Sequence, residues 1–305
     1  MKPSTNYSFK GRTIRCLLFD LGDTLWTSVD KVTMEQIIRS RNQTIAELLP
    51  AYFPTHAAGS MDYTQISAQL RIAIGQRYVY WSRQVYDAEP DPYVVTTEAC
   101  QLLHLPDLDR EQKLALHEAY RMSYNETRRL FDDTLETLSE LRRRGFILGC
   151  VTDRQYGGAP FLADLQACRL LSYFPLEAIV VSADCGKRKP HPSLFTQALT
   201  ALKVAPEETA MVGDYLCRDV AGAKRLNMLA IWKPKTRLFR EAQISHNTID
   251  TQDRDSYLLA YAHEQEMARE PKFPFNEFKP FMEPDATIKD VSELLTLFYS
   301  ISGNA

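Results

Sequence analysis

Residues 16–26 read CLLFDLGDTLW. An apolar run ends in Asp20, and Gly22, Asp23 and Thr24 follow at once. The wider stretch TIRCLLFD, residues 13–20, is short, mostly apolar and carries β-branched and aromatic members. That composition predicts a strand buried on both faces of a parallel sheet. Similar runs recur at 146–152 (FILGCVT), 178–182 (AIVVS), 209–213 (TAMVG) and 228–232 (MLAIW). Helical patterns lie between them. FDDTLETLSELRRRG sets Leu135, Leu138 and Leu141 at helical spacing and closes on Gly145 at a C-cap position. PSLFTQALTALKV repeats the pattern, and CRDVAGAKRLN adds Ala221, Gly222 and Ala223, small enough for close packing on a sheet. Strand alternating with helix predicts a doubly wound α/β fold, a Rossmann-like parallel sheet. In such sheets the site lies beyond the carboxyl ends of the strands. Here each strand ends on a polar residue: Asp20, Thr152, Ser182, and the Gly213-Asp214 pair.

Two stretches break that rhythm. Residues 27–130 are helical in period with few strand signals, which predicts a helical cap inserted after the first core strand. The core then comprises 1–26 and 131–305. Within it, residues 236–282 are polar and irregular, with the proline-aromatic run PKFPFNEFKPF. PDATIKDVSELLTLF after it reads as a short strand plus helix, so 236–282 is an insertion before the final unit of the core. A lid, a dimer contact and a surface wrap all fit the aromatic run.

Composition narrows the function classes. The 305 residues are 45% hydrophobic and 25% charged, with a formal net charge of -3. That balance suits a soluble globular protein and points to neither a nucleic-acid nor a membrane partner. No window of about 20 uninterrupted apolar residues suggests a membrane span. The opening MKPSTNYSFKGRT lacks an apolar signal-peptide core. Cys16, Cys100, Cys150, Cys168, Cys185 and Cys217 are scattered, several in apolar runs, and read as reduced thiols of a cytoplasmic protein. Five of the six histidines, His56, His104, His117, His246 and His263, have no metal spacing and read as surface or cap residues. The cluster Tyr78, Tyr80, Trp81 and Tyr86 reads as packing. Oligomeric state is open.

Four strand-end pieces carry chemistry in order: Asp20 with Thr24, Thr152, Lys189 in GKRKPHPSLF, and Asp214 with Asp219 in VGDYLCRD. Converging carboxylates need protons or a divalent metal to coexist. An oxygen-only donor set points to Mg²⁺. A carboxylate nucleophile, a lysine and Mg²⁺ suit in-line phosphoryl transfer through an aspartyl-phosphate.

On these motifs the chain resembles the haloacid dehalogenase (HAD) superfamily of hydrolases, in the branch with a helical cap of the C1 type. The resemblance covers about 1–26 and 131–235, and the last twenty residues. It implies that Asp20 is the nucleophile and that Thr24 belongs to the catalytic group. Thr152 would bond a phosphoryl oxygen, with the neighbouring Asp153 among the substrate contacts. Lys189, favoured over Lys187 and Arg188 by the K-P-x-P spacing, would neutralise the phosphoryl group and Asp20. Asp20, the Gly22 carbonyl, Asp214 and Asp219 would hold Mg²⁺.

One position departs from the family pattern. Its general acid/base is the side chain two residues after the nucleophile, and here that residue is Gly22. Asp23 is one residue off, and successive side chains of an extended segment point to opposite sides, so Asp23 reads as a turn residue. General acid–base help is worth about 10²–10⁴ in rate. Its loss leaves three outcomes: slow hydrolysis or a substitute such as Asp153, His191 or a substrate hydroxyl; a preference for good leaving groups; or binding without turnover. The expectation is a Mg²⁺-dependent phosphatase acting on a small phosphorylated metabolite. A weak phosphate-binding protein and a metal-independent dehalogenase are the alternatives.

Overall fold

The computed structural model describes residues 7–54, 62–245 and 254–300; His56 and His246 lie outside them. β1 (Tyr7–Phe9) and β2 (Arg12–Ile14) form a hairpin, and β3 (Cys16–Phe19) follows. The other strands are β4 (Trp26–Ser28), β5 (Arg128–Leu130), β6 (Ile147–Thr152), β7 (Ile179–Val181), β8 (Thr209–Gly213), β9 (Leu229–Trp232), β10 (Ala286–Thr287) and β11 (Tyr299–Ser300). Six of them form one sheet in the order β10-β9-β8-β3-β6-β7. Every neighbouring pair in it is parallel. All four residues of β3 are buried, as a strand covered on both faces requires. The α/β class read from the sequence is the one observed.

The sheet sets the place of the site. β3 lies between β6 and β8, so the strand order reverses there. The crevice beyond the carboxyl ends of such strands is where open α/β sheets bind ligands.

The chain leaves the core through β4 and returns through β5. These two strands pair antiparallel as a stalk, Trp26 opposite Leu130 and Ser28 opposite Arg128. Between them stand α1 (Lys31–Tyr52), α2 (Tyr63–Gln84), α3 (Pro92–Leu102), α4 (Arg110–Ala119) and one turn, α5 (Tyr124–Thr127). Each of α1–α4 starts at an aspartate whose carboxylate accepts a backbone N–H of the first turn: Asp30, Asp62, Asp91 and Asp109. Those N–H groups have no partner inside the helix, so the caps decide where the helices begin. Ile45, Leu49, Leu70, Ile74, Val95 and Leu116 close a separate apolar core. Only about one helix face in each is apolar, and packing of those faces is what stabilises the unit.

The sheet's side chains alternate between two further clusters. Leu17 and Phe19 of β3 face one and Cys16 and Leu18 the other. On the first side lie α6 (Thr134–Arg143) and α7 (Gly158–Ala167), through Leu138, Leu141, Phe161 and Leu165. A short turn, α8 (Ser182–Cys185), leads to α9 (Pro192–Leu202), which covers the second side with α10 (Ala221–Arg225). Phe195, Ala198, Ala221 and Ala223 make that contact.

After β9 come α11 (Thr236–Ser245), α12 (Arg254–Arg269) and α13 (Phe275–Phe278), then β10 and a last turn, α14 (Leu294–Leu297). The proline-aromatic run lies along the surface and buries two of its rings. Phe273 and Phe278 are buried in the same cluster as α9. Tyr86, just past α2, meets both rings edge-on at 5.2 and 6.0 Å. Glu266 of α12 accepts the backbone N–H groups of Leu216 (2.7 Å) and Cys217 (2.8 Å). Residues 266–278 thus touch both the backbone after β8 and Tyr86 just past α2. The six cysteines are free thiols. No helix among the described residues is long and apolar enough to cross a membrane.

His117 of α4 is 4% exposed, with Nδ1 3.1 Å from the Thr96 hydroxyl. Burial pushes its pKa from 6.5 down to about 4. The unfolded chain takes up this proton below pH 6.5 and the fold does not, so this contribution to stability is complete above 6.5. It is lost as pH falls toward 4. Between pH 7 and pH 5 we expect about 2 kcal/mol of loss from this group. It should appear as a urea midpoint that drops more steeply on acidification than in His117→Gln. Equal pH dependence in the two proteins would contradict the assignment.

Candidate active site

Asp20 follows β3 directly, and its N–H donates to the Val212 carbonyl of β8 at 2.9 Å. Thr152 is the last residue of β6. Lys189 stands in the loop between α8 and α9, and Asp214 follows β8. The sheet thus brings residues 20, 152, 189, 214 and 219 to one end of the core, although they are up to 199 positions apart.

Lys189 is the hub. Its Nζ donates to Asp20 Oδ1 (2.7 Å), Asp219 Oδ1 (2.6 Å) and the Val151 carbonyl (3.0 Å). Three acceptors use all three protons of the ammonium. Lys189 is 2% exposed, and Asp20 and Asp219 are 5% and 1% exposed. None could stay charged alone at that depth, so each requires the others. Burial would raise the Asp20 carboxyl, but the charges of Lys189 and then Arg154 outweigh it and hold it below the ordinary range. Gly213 makes room for the arrangement: a Cβ there would sit 2.3 Å from Cγ of Asp219.

The other two acids are held less comfortably. Burial pushes Asp214 up to about 6; Lys235 at 3.0 Å opposes this, and Asp20 and Asp23 add to it. Burial likewise pushes Asp219 up to about 7, against the pull of Lys189 and with the repulsion of Asp20 and Asp214. Crowded, destabilised carboxylates are what a divalent cation would relieve. Among the described residues no three His, Cys, Asp or Glu side chains are gathered closely enough to hold a metal by themselves. Mg²⁺ does not require that, since it is commonly held by one or two carboxylates, with water and substrate oxygens completing the octahedron. The donor set of Asp20, Asp214 and the Gly22 carbonyl fits this habit, with Asp219 beside it.

Two hydroxyls stand ready. Thr24 and Thr152 are fully buried, and neither Oγ1 has a hydrogen-bond partner. Of the two, Thr152 is at the strand end beside Asp20. Asp153 lines the cavity, but its oxygens are committed: Oδ1 accepts the Lys189 N–H (3.0 Å) and Oδ2 the Arg218 guanidinium (3.1 Å). His191 caps α9, its Nδ1 accepting the Ser193 N–H. Neither is placed as a substitute acid. Asp23 sits at φ +53°, a left-handed conformation that aspartate tolerates in turns. Its Oδ1 accepts the Thr27 hydroxyl at 3.1 Å.

These groups open on a cavity of about 380 Å³, large enough for a small metabolite. Its walls hold residues that no motif spacing had marked. Tyr78, Ser82 and Arg83 come from α2, Arg128 from the stalk, Arg154 from the loop after β6, and Arg269 from the end of α12. Tyr78, one of the aromatics read as packing, donates to Glu89 at 2.5 Å and faces the cavity. Arg218 reaches both Asp153 and Glu270.

The family model for haloacid dehalogenase-like hydrolases matches residues 14–227. A phosphoserine phosphatase of Thermus thermophilus is 39% identical over 126 residues, 40% of this chain. The match spans 47% of that relative, less than half its length. A glyceraldehyde 3-phosphate phosphatase of Methanopyrus kandleri is 28% identical over 220 residues, 72% of this chain and 83% of the relative. Among solved structures, a HAD phosphatase of Thermococcus onnurineus aligns over 93% of this chain and 97% of its own, with a TM-score of 0.50 and 22% identity, a likeness of fold. With the family match running from β2 through α10, this chain belongs to the haloacid dehalogenase-like hydrolases.

Proposed function

We propose that the chain is a Mg²⁺-dependent phosphatase that hydrolyses a small phosphorylated metabolite through an aspartyl-phosphate on Asp20. The observation that carries this reading is the buried Lys189 ammonium shared between Asp20 and Asp219 at the floor of a cation-rich cavity. A carboxylate held ionised by neighbouring charge suits a nucleophile. Lys189 neutralises Asp20 and the phosphoryl oxygens as they approach. The Thr152 hydroxyl donates to one of those oxygens. Asp20, Asp214 and the Gly22 carbonyl hold Mg²⁺, with Asp219 directly or through water. When bound, the metal supplies positive charge to the phosphoryl oxygens. Two relatives whose names describe phosphatases of small phosphorylated metabolites support the substrate class. The six free thiols suit a reducing cytoplasm.

Phosphate release from a panel of phosphoryl compounds should require Mg²⁺, stop with EDTA, and fall to background in Asp20→Asn. Turnover unchanged by Asp20→Asn would sink the reading. Halide release from a haloacid, insensitive to EDTA, would replace it with dehalogenation.

Lys189→Met should abolish turnover. It also leaves Asp20 and Asp219 facing each other without a cation, a cost of about 3 kcal/mol. The expected signature is a lower urea midpoint that Mg²⁺ partly restores. An unchanged midpoint would show that Lys189 does not carry the charge balance of the site.

A further inference from the structure

Gly22 leaves room on the substrate side of Asp20, and another side chain fills it. A Cβ built on Gly22 would lie 3.1 Å from Nη2 and 3.3 Å from Nη1 of Arg154. The guanidinium therefore packs tightly against the place where a side chain on residue 22 would begin. The Arg154 backbone is fixed on both sides by one hydroxyl: its N–H donates to Ser182 Oγ (2.8 Å), and Ser182 Oγ donates to its carbonyl (3.1 Å). The guanidinium lies over the rings of Trp26 (5.6 Å) and Tyr124 (5.5 Å). Nη1 donates to the Asp153 carbonyl at 3.0 Å, whereas Nε and Nη2 are buried with no partner. Among the described residues no carboxylate comes within ion-pair distance of it.

A second cation, half-buried, stands nearby. Arg128, also on the cavity wall, lies over the opposite partner of the pair, the same Tyr124 ring, at 5.5 Å. Its one hydrogen bond goes to the Thr127 carbonyl. Burial lowers its pKa, and the charge of Arg154 lowers it further. Among the described residues neither of these two like charges, which share one aromatic ring, has a carboxylate at ion-pair distance, and Arg154 has two unspent donors, so the pair suits an anion.

We propose that Arg154 takes the place of the absent acid on residue 22 and binds the oxygens of the transferring phosphoryl group and its leaving oxygen. The enzyme is then a phosphatase without a protein proton donor. Its substrates are phosphoryl compounds whose leaving oxygen is a weak base, such as acyl phosphates and phosphoanhydrides. This rests on the phosphatase reading above. A guanidinium, with a pKa above about 12, gives up no proton at neutral pH. It stabilises developing negative charge instead.

The steps balance without an acid. A carboxylate oxygen of Asp20 forms a bond to phosphorus. The bond from phosphorus to the leaving oxygen breaks, and its electron pair departs on that oxygen, beside Arg154. The released anion, a weak base, stays ionised at neutral pH and needs no proton. Water then adds to phosphorus, the bond to Asp20 breaks, and the Asp20 carboxylate is restored. Both protons of that water leave on the phosphate, as H₂PO₄⁻.

The test is the dependence of kcat/KM on leaving-group pKa, over acetyl phosphate, 4-nitrophenyl phosphate, phenyl phosphate and glycerol phosphate. In the wild type we expect a steep decline as the leaving group becomes more basic. Arg154→Ala should lower kcat/KM, with part of the loss recovered in Arg154→Lys and on adding guanidinium chloride. In Gly22→Asp the new carboxylate pairs with Arg154, so the decline stays steep. In Gly22→Asp/Arg154→Ala the acid is free, and the rate on glycerol phosphate should rise by about 10²-fold relative to Arg154→Ala. A flat profile in the wild type, or an unchanged kcat/KM in Arg154→Ala, overturns the proposal. If no compound is turned over, the phosphatase reading fails, and calorimetric titration with inorganic phosphate tests Arg154 separately. Binding weakened at least about tenfold in Arg154→Ala keeps the anion site; equal binding removes it.

Discussion

One ammonium holds the site in its working arrangement. Lys189 Nζ joins Asp20, after β3, to Asp219, after β8, and to the Val151 carbonyl of β6. Each of these acceptors comes from a different strand end, so the bond network is also a clamp across the central sheet. The dependence is mutual. Lys189, 2% exposed, is offset by the two carboxylates it touches, and those carboxylates tolerate each other because the cation lies between them. The parallel sheet makes this possible because its strand order places β3 between β6 and β8. Gly213 completes it by leaving the space that the Asp219 carboxylate occupies.

The clamp extends outward to the C-terminal insertion. Asp153 accepts the Lys189 N–H with one oxygen and the Arg218 guanidinium with the other. Arg218 reaches on to Glu270 at the end of α12. Glu266, one turn earlier, holds the backbone of Leu216 and Cys217, within the loop that carries Asp214 and Asp219. Burial raises its pKa to about 7, so the contact is costly to ionise and is supported by the apolar packing around it. Residues far down the chain thereby fix the loop that presents the acids. The aromatic run supplies that packing through Phe273 and Phe278.

Much of this was legible in the sequence, and for a physical reason. Buried parallel strands must be apolar along their whole length, so TIRCLLFD, FILGCVT and TAMVG announced themselves. Polar residues at their ends stood out against that background, which is why Asp20, Thr152 and Asp214 could be named together, while Lys189 was picked out by its K-P-x-P spacing. The helical character of 27–130 followed from period alone. What escaped had no period and no spacing. Arg154 lies two residues after Thr152 in a loop, and only the three-dimensional packing at Gly22 shows what it fills. Arg218 sits between Asp214 and Asp219, yet its partners are 65 and 52 residues away. The question that would have found Arg154 is which side chain occupies the room a glycine leaves. A sequence poses that question, but packing answers it. The aromatic run was undecided for the same reason, since nothing local says which surface an exposed-looking Phe will meet.

The distribution of charge around the cavity explains what the fold gives up to have this site. Lys235 is matched by Asp214, Lys189 by Asp20 and Asp219, Arg218 by Asp153 and Glu270, and Arg188 by Glu89. Each of those cations has a carboxylate at ion-pair distance. Arg154 and Arg128 have only the faces of aromatic rings and a backbone carbonyl apiece. Cation–π contact is worth about 0.5–2 kcal/mol, and an unspent buried donor costs about 1–3 kcal/mol, so Arg154, with Nε and Nη2 buried and unpaired, is the costly one of the two. A sequence under selection for stability alone would place a carboxylate beside them, and residue 22 is where it would fit. Glycine there leaves the Arg154 guanidinium with donors that nothing in the protein has already taken.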